Sequence, residues 1–545
     1  MTQPVVQLDG QTLTLAALMQ VARGGARCAV PEAARARMRE SRAVVDVLVT
    51  GERPHYGITS GEKVARTRLQ VEHMEPGGKV AYGITTGFGE LARVKIAPED
   101  VETLQRNLLL SHACGQGDPI PTDAVRAMLA LRANALATGF SGVREEVVDL
   151  LVALLNERVH PVVYTQGSLG ASGDLVPLAH AALVLIGEGE AEVDGQVLPA
   201  REALGRRGLK PVTLKAKEGL ALINGTQFMS AHLALAVADG WNLVRHAELA
   251  AAMSLEALMG SERPMDPRIH AARPHRGQRE TAAAVHALVS ESGIMESHAN
   301  CDRVQDAYTL RCIPQVLGAV RDVLYHAENV LQVEFNSATD NPLIFPGGDV
   351  LSGGNFHGEP LALLAAYLGP ALAEVANFSE RRVARLVDPH LSEGLPAFLT
   401  PRSGLNSGYM IPQYVAAGLV MENRILAHPA AVDSIPTSAN QEDHVSNGAV
   451  GAVMVTRILR NAERAVALEL LIAAQALDFR APLVAGRGTR LAHAALRARI
   501  PALREDRYLK PEMDAATALL REGVLVEAVE STVSAPEVQA DLDTV

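Results

Sequence analysis

The spacing of apolar positions predicts helices from the first residues onward. Ala34, Met38, Val45 and Leu48 fall on one face behind Pro31, and Gly51 stops the run, so a helix is predicted over Pro31–Val49. Ahead of it, Thr14 can cap a helix carrying Leu15, Leu18 and Met19, which Gly24 ends. Val5–Leu8 and Leu13 flank Asp9-Gly10 and predict a short hairpin. A second hairpin is predicted over Glu192–Leu198, around Asp194-Gly195. Helical periodicity runs over 101–157 and over most of 220–477, with short Gly, Pro and Asn breaks. The Ala-rich run Leu459–Leu477 suits a packed bundle. After Asp478 the pattern is of helices punctuated by proline.

Two stretches interrupt this periodicity. HYGITSGE at His55–Glu62 is nearly repeated as AYGITTGFGE at Ala81–Glu90, and the polar linker between them ends in Pro76-Gly77-Gly78. The region of about 52–80 reads as a solvated insertion, with a second functional loop as the alternative. The other interruption is the Gly/Ser-rich loop that follows Val163.

Composition narrows the fold class. Hydrophobic residues make up 48%, charged residues 21% and aromatics only 3% of 545 residues. That balance, with abundant Ala and Leu, favours helix packed on helix over a β-sandwich. The expected fold is mainly α, an elongated helical bundle core with a small mixed N-terminal part. The expected division is 1–223 for the N-terminal part, 224–477 for the central bundle and 478–545 for a C-terminal helical segment. The net charge of −12 argues against a nucleic-acid partner, which needs a basic face.

Cys28, Cys114, Cys301 and Cys312 form no CxxC pair and match no zinc spacing. They read as reduced thiols, and MTQPVVQLDG has no signal-peptide pattern, so a cytoplasmic location is expected. The longest uncharged stretch, Ser403–Met421, carries Asn406, Pro412 and Gln413 and is a poor membrane span.

The chemistry concentrates in Gly167–His180, GSLGASGDLVPLAH. Gly173 has no Cβ, so its nitrogen can approach the Ala171 carbonyl, and Ser172 can lose its hydroxyl as water. Asp174 can accept protons or orient the loop. A serine-hydrolase elbow needs G-x-S-x-G, and Asp174 occupies the place of the last glycine.

This run resembles the signature of the aromatic amino-acid ammonia-lyase family. The likeness extends from about Val5 to Asp506, apart from the 52–80 region. It rests on YGITTGFG, RNLLLSHACGQG, KEGLALINGTQ, VQDAYTLRC, NSATDNPLIF, SGGNFHGEP, GLNSGYMIPQ and PTSANQEDHVS. The resemblance implies a fumarase/aspartase-like fold and a homotetramer with shared active sites. It also implies a self-formed 4-methylideneimidazole-5-one (MIO) made from Ala171-Ser172-Gly173, with no diffusible cofactor.

Further roles follow from the resemblance. Tyr82 matches the catalytic base, with Tyr56 of the near-copy as its rival. Tyr308 matches a residue near the MIO and Gln305 a polar neighbour. Arg311 matches the clamp on the substrate carboxylate, a task its planar fork suits. Asn224 matches a hydrogen-bonding residue near the MIO carbonyl, and Phe356 an aromatic lining. Ser111-His112 stands where the family reads the substrate ring. Glu442 stands where histidine-directed members carry Glu and phenylalanine- or tyrosine-directed ones usually carry Gln. A carboxylate pairs with an imidazole N–H and not with a phenyl ring.

The expected reaction is therefore L-histidine to trans-urocanate and ammonia. The alternatives are tyrosine or phenylalanine deamination, a 2,3-aminomutase outcome and, more distantly, an inert structural homologue. Asn447, Tyr367 and Thr85 depart from the family pattern, where Met, Asp and Asn are usual or common. His357-Gly358-Glu359 and Glu442-Asp443-His444 lack HExxH spacing, so no metal requirement is expected.

Overall fold

The computed structural model describes residues 4–50, 98–301 and 303–533. The near-repeat over 55–90, with Tyr82, Tyr56 and Thr85, lies outside the described residues. Helices dominate, and the strands are short. The chain divides into two compact units, each assembled from three stretches. One unit takes Met1–His232, Val330–Leu363 and Ala430–Ala452; the other takes Leu233–Asn329, Leu364–Pro429 and Val453–Val545.

The first unit contains every strand found among the described residues. Its core is the helix Thr122–Ala137, in which every side chain from Ala124 to Ala137 is buried. Burial on every face makes this an interior helix, its buried Arg126, Arg132 and Asn134 each hydrogen-bonded, and it packs against Leu15–Ala22 and Glu145–Asn156. Thr14 caps Leu15–Ala22 by accepting from the Ala17 amide, as expected. The expected Pro31–Val49 helix runs Glu32–Thr50, with Ala34, Met38 and Val45 buried.

The hairpin around Asp194-Gly195 is present. Glu190–Val193 pairs antiparallel with Gln196–Pro199, and both turn residues have positive φ (52° and 78°), the geometry that a tight two-residue turn demands. The hairpin around Asp9-Gly10 is not formed. Val5–Gln7 instead pairs in parallel with Arg27–Ala29, across an intervening helix. The Asp9 carboxylate accepts from the Gln11 and Thr12 amides, both at 2.8 Å. That local turn leads into the helix instead of reversing the strand.

Three mutually packed helices position the site: Val101–His112, Leu175–Leu185 and Glu218–Ile223. His112 ends the first, the Ala171–Asp174 loop precedes the second and Asn224 follows the third.

The second unit is a helical bundle. It is built from the greater part of the helices Gln227–Ala257, Ile313–Phe335, Glu359–Val387 and Gly448–Asp478, together with Met410–Leu426 and the C-terminal helices. Leu243, Ala250, Leu324, Leu372, Ala465 and Leu471 are among its fully buried side chains. Within it Arg382 and Glu469 form a fully buried ion pair, with Nε–Oε1 at 2.5 Å. Ser379 and Ser254 also donate to that carboxylate, at 2.7 Å each. Glu359–Val387 alone among the described helices is long and apolar enough to cross a membrane. Its buried Ser379, Glu380 and Arg382 mark it as a core helix.

Candidate active site

The loop Gly167–Asp174 is held by backbone and hydroxyl contacts from two remote segments. Gly358 N donates to Gly170 O at 3.2 Å, and Asn447 N to Leu169 O at 2.7 Å. Ser446 Oγ adds a bond to Gly170 O at 3.1 Å. Inside the loop, Gly173 lies in the left-handed region, at φ 77°, in a parallel bridge with Gly225. A Cβ at Gly173 would fall on the Gly225 carbonyl oxygen and amide nitrogen. Only glycine combines that φ with that approach.

Four helices begin beside this loop: Leu175–Leu185, Gln227–Ala257, Glu359–Val387 and Gly448–Asp478. Their N-terminal ends carry the positive side of the helix dipoles, and the Met229 amide on one of them donates to Asp174.

Ser172 is half-buried, and its hydroxyl donates to Glu442 Oε1 at 2.7 Å. Its carbonyl accepts from Asn224 Nδ2 at 2.9 Å. The Asn224 Oδ1 is buried without a hydrogen-bond partner among the described residues, an acceptor left open at the tripeptide. Thr437 Oγ1 donates to the second Glu442 oxygen, Oε2, at 2.7 Å. The turn between these two residues places Ser438, Ala439 and Asn440 at φ 50°, 53° and 71°. Three successive non-glycine residues in the left-handed region store strain, as functional loops do.

The His112 Nδ1 lies 3.0 Å from the Ser111 hydroxyl. Burial lowers the His112 pKa, against the Leu108 carbonyl and the Glu442 carboxylate, which raise it. His112 and the Glu442 carboxylate thus lie within electrostatic reach of each other.

Asp174 is fully buried. Burial raises its pKa to about 7, although the Met229 and Phe228 amides and the Ser168 hydroxyl work the other way. Met229 N donates to Oδ2 and Ser168 Oγ to Oδ1, both at 3.0 Å. This carboxyl can exchange a proton near neutrality.

A buried polar scaffold supports Asn224. Arg132 Nη1 donates to Asn224 O at 2.9 Å and to Gln227 Oε1 at 2.8 Å. Burial brings the Arg132 pKa down to about 10. Lys217, at φ 73°, opens the helix before Asn224 and pairs with Asp340 at 2.6 Å, both side chains fully buried. Sequence reasoning missed Thr437, Arg132, Lys217 and Asp340. A signal for three of them exists, since Thr437, Lys217 and Asp340 sit inside PTSANQEDHVS, KEGLALINGTQ and NSATDNPLIF.

Ala171, Ser172, Gly173, Asn224 and Glu442 come together as described, with His112 coupled to Glu442. Phe356 is half-buried, two residues before the Gly358 amide that holds the loop. Tyr308, Gln305 and Arg311 belong to the second unit, where all three are exposed. Gln305 lies ahead of the short helix Tyr308–Arg311. Its side chain still accepts from Arg311.

Comparison with known proteins gives one family. The sequence profile described as aromatic amino acid lyase matches residues 13–62 and 61–498, its break falling where HYGITSGE ends. A histidine ammonia-lyase of Gloeobacter violaceus is 51% identical over 96% of this chain and 97% of its own. One of Sorangium cellulosum is 50% identical, over 96% and 99%. Among solved structures, histidine ammonia-lyase of Trypanosoma cruzi has TM-score 0.85 and 40% identity, covering 97% of this chain and 96% of that one. Tyrosine aminomutase of Streptomyces globisporus has TM-score 0.86 and 36% identity, covering 98% and 99%. With the glycine-bound tripeptide loop and matches of this length, the chain belongs to the aromatic amino acid lyase family.

Proposed function

We propose that the protein is a histidine ammonia-lyase, converting L-histidine to trans-urocanate and ammonia. The observation that carries this reading is Glu442, whose carboxylate lies 2.7 Å from the Ser172 hydroxyl and within electrostatic reach of His112. A carboxylate held beside the tripeptide offers an imidazole N–H a charge-assisted acceptor and offers a phenyl ring nothing.

The residues present fit an MIO formed from Ala171-Ser172-Gly173. Gly173 leaves room for close backbone approach, and Asn224 already donates to the Ser172 carbonyl. Asp174, with a pKa of about 7, can relay a proton during loss of water. Once formed, the group supplies an electrophilic methylidene that activates the amino group as a leaving group.

Every other task falls to side chains of the chain. Tyr82 takes the β-proton; its ordinary pKa of about 10 must be lowered for this. His112 and Glu442 orient the imidazole, and Asn224 holds the reacting region. Arg311 clamps the carboxylate, steadied by Gln305, with Tyr308 beside it. Phe356 lines the site. No diffusible cofactor is needed, and no metal is required for this chemistry.

The working form is a cytoplasmic homotetramer with active sites shared between subunits. Tyr308, Gln305 and Arg311 stand exposed, as residues that complete a site with another copy would. Ile411, Tyr414, Met421 and Ile425, all more than half exposed, recur at heptad-like spacing on Met410–Leu426, a face suited to helix–helix association. The cysteines are free, in keeping with a reducing compartment.

The likeness to a tyrosine aminomutase keeps a second outcome in view, in which ammonia re-adds at the β-carbon. Intact mass and NMR of the products test the whole reading. A mass two waters below the sequence mass, with urocanate and free ammonia from histidine, is expected. An unmodified mass would overturn the cofactor, and a β-amino acid product would replace the lyase by a mutase.

A further inference from the structure

We propose that His357, Glu359 and His444 form a binding site for a divalent transition-metal ion of the zinc type, beside the tripeptide loop. One donor atom from each residue lies within 4.8 Å of the others. The two imidazole rings are nearly parallel, at 29° with centroids 5.6 Å apart. Zinc bonds of about 2.0–2.2 Å bring ligand atoms closer together than this, so the side chains must close by roughly an ångström. Rotation of surface-facing rings suffices for that, since His357 is half-buried and His444 exposed.

A second observation concerns the carboxylate of this cluster. Glu359 Oε2 is buried and has no hydrogen-bond partner among the described residues. A buried carboxylate oxygen without a partner is costly, and a cation is the partner that best satisfies it. The imidazoles, in contrast, give up little. His357 Nδ1 accepts from the Glu359 amide at 3.3 Å, and its Nε2 lies 3.4 Å from the His444 carbonyl. Both contacts are long and weak.

The donor set decides the ion. Two imidazoles and one carboxylate suit zinc or cobalt and not calcium or magnesium, which prefer oxygen. Three protein ligands also leave a position for water. The starts of Glu359–Val387 and Gly448–Asp478 lie nearby and disfavour a cation. The Glu359 carboxylate, at the first position of its helix, offsets this. An ion here would tie the chain just after Phe356 to the chain just after Glu442, the two segments that also hold the tripeptide loop.

The test is a zinc titration of chelator-treated full-length protein, read by competition with a chromophoric chelator, beside His444→Ala, Glu359→Gln and His357→Gln. Cooperative thermal unfolding without metal is the folding control, and three variants ensure that one folding failure does not remove the comparison. One zinc per chain is expected, with affinity about tenfold or more weaker in each folded variant. Cobalt in place of zinc should give visible bands that the variants lose. Zinc bound equally by wild type and variants, or no zinc bound by wild type, would overturn the proposal. None of these readouts depends on turnover, so they stand apart from the histidine reading.

Discussion

Before the tripeptide cyclises, Glu442 accepts from Ser172 with one oxygen and from Thr437 with the other; loss of the Ser172 hydroxyl as water frees Oε1 for a substrate N–H, while Thr437 still holds Oε2. Glu442→Gln keeps one acceptor and loses the charge. Hydrogen bonds to charged groups contribute about 1.5–3 kcal/mol, so kcat/KM for histidine should fall by roughly 10- to 150-fold, measured as initial rates. An unchanged value would remove Glu442 from substrate recognition. Asp174 gives a prediction in pH. Burial raises its pKa from 3.8 to about 7, so the folded state holds this proton more tightly than the unfolded chain. Its stabilising contribution is complete below about pH 4 and is lost as pH rises through 7. The unfolding midpoint of wild type should therefore decline relative to Asp174→Asn between about pH 4.5 and 8. Parallel midpoints would show that Asp174 titrates normally. Ser172, Gly173, Asn224 and Glu442 were legible in the sequence because each stands in a run that carries chemistry. Arg132 was not, because a buried polar residue looks the same in sequence as an exposed one until the chain brings Asn224 against it.

Helices were legible wherever one face is apolar, as on Glu32–Thr50, or where a cap marks the start, as at Thr14. The turn at Asp194-Gly195 was legible because both of its residues tolerate positive φ. The same logic failed at Asp9-Gly10. There the Asp9 side chain closes a local turn, and the strand partner comes from Arg27–Ala29, which no short-range signal reveals. Ion pairs inside the bundle were also invisible, since Arg382 and Glu469 lie on separate helices. Breaking that pair leaves a buried charge alone. Arg382→Ala should destabilise the protein by about 3–5 kcal/mol, read as a large fall in the thermal midpoint. A midpoint close to wild type would show that the bundle relaxes around Glu469.

At the scale of the whole molecule, we propose that each active site is completed by more than one chain. Arg311 and Tyr308 are exposed on the second unit, while Ser172 and Glu442 lie on the first. Co-expression of Glu442→Gln with Arg311→Ala tests the sharing directly. If the two residues of one site come from different chains, mixed tetramers contain some sites with both intact, and activity should return above that of either variant alone. No recovery would place both residues of a site in the same chain. The reaction itself is tested most directly by the ultraviolet absorbance of purified protein incubated separately with histidine, tyrosine and phenylalanine. A growing urocanate band is predicted with histidine and none with the other two. A cinnamate or coumarate band with phenylalanine or tyrosine, and none with histidine, would contradict the role given to Glu442.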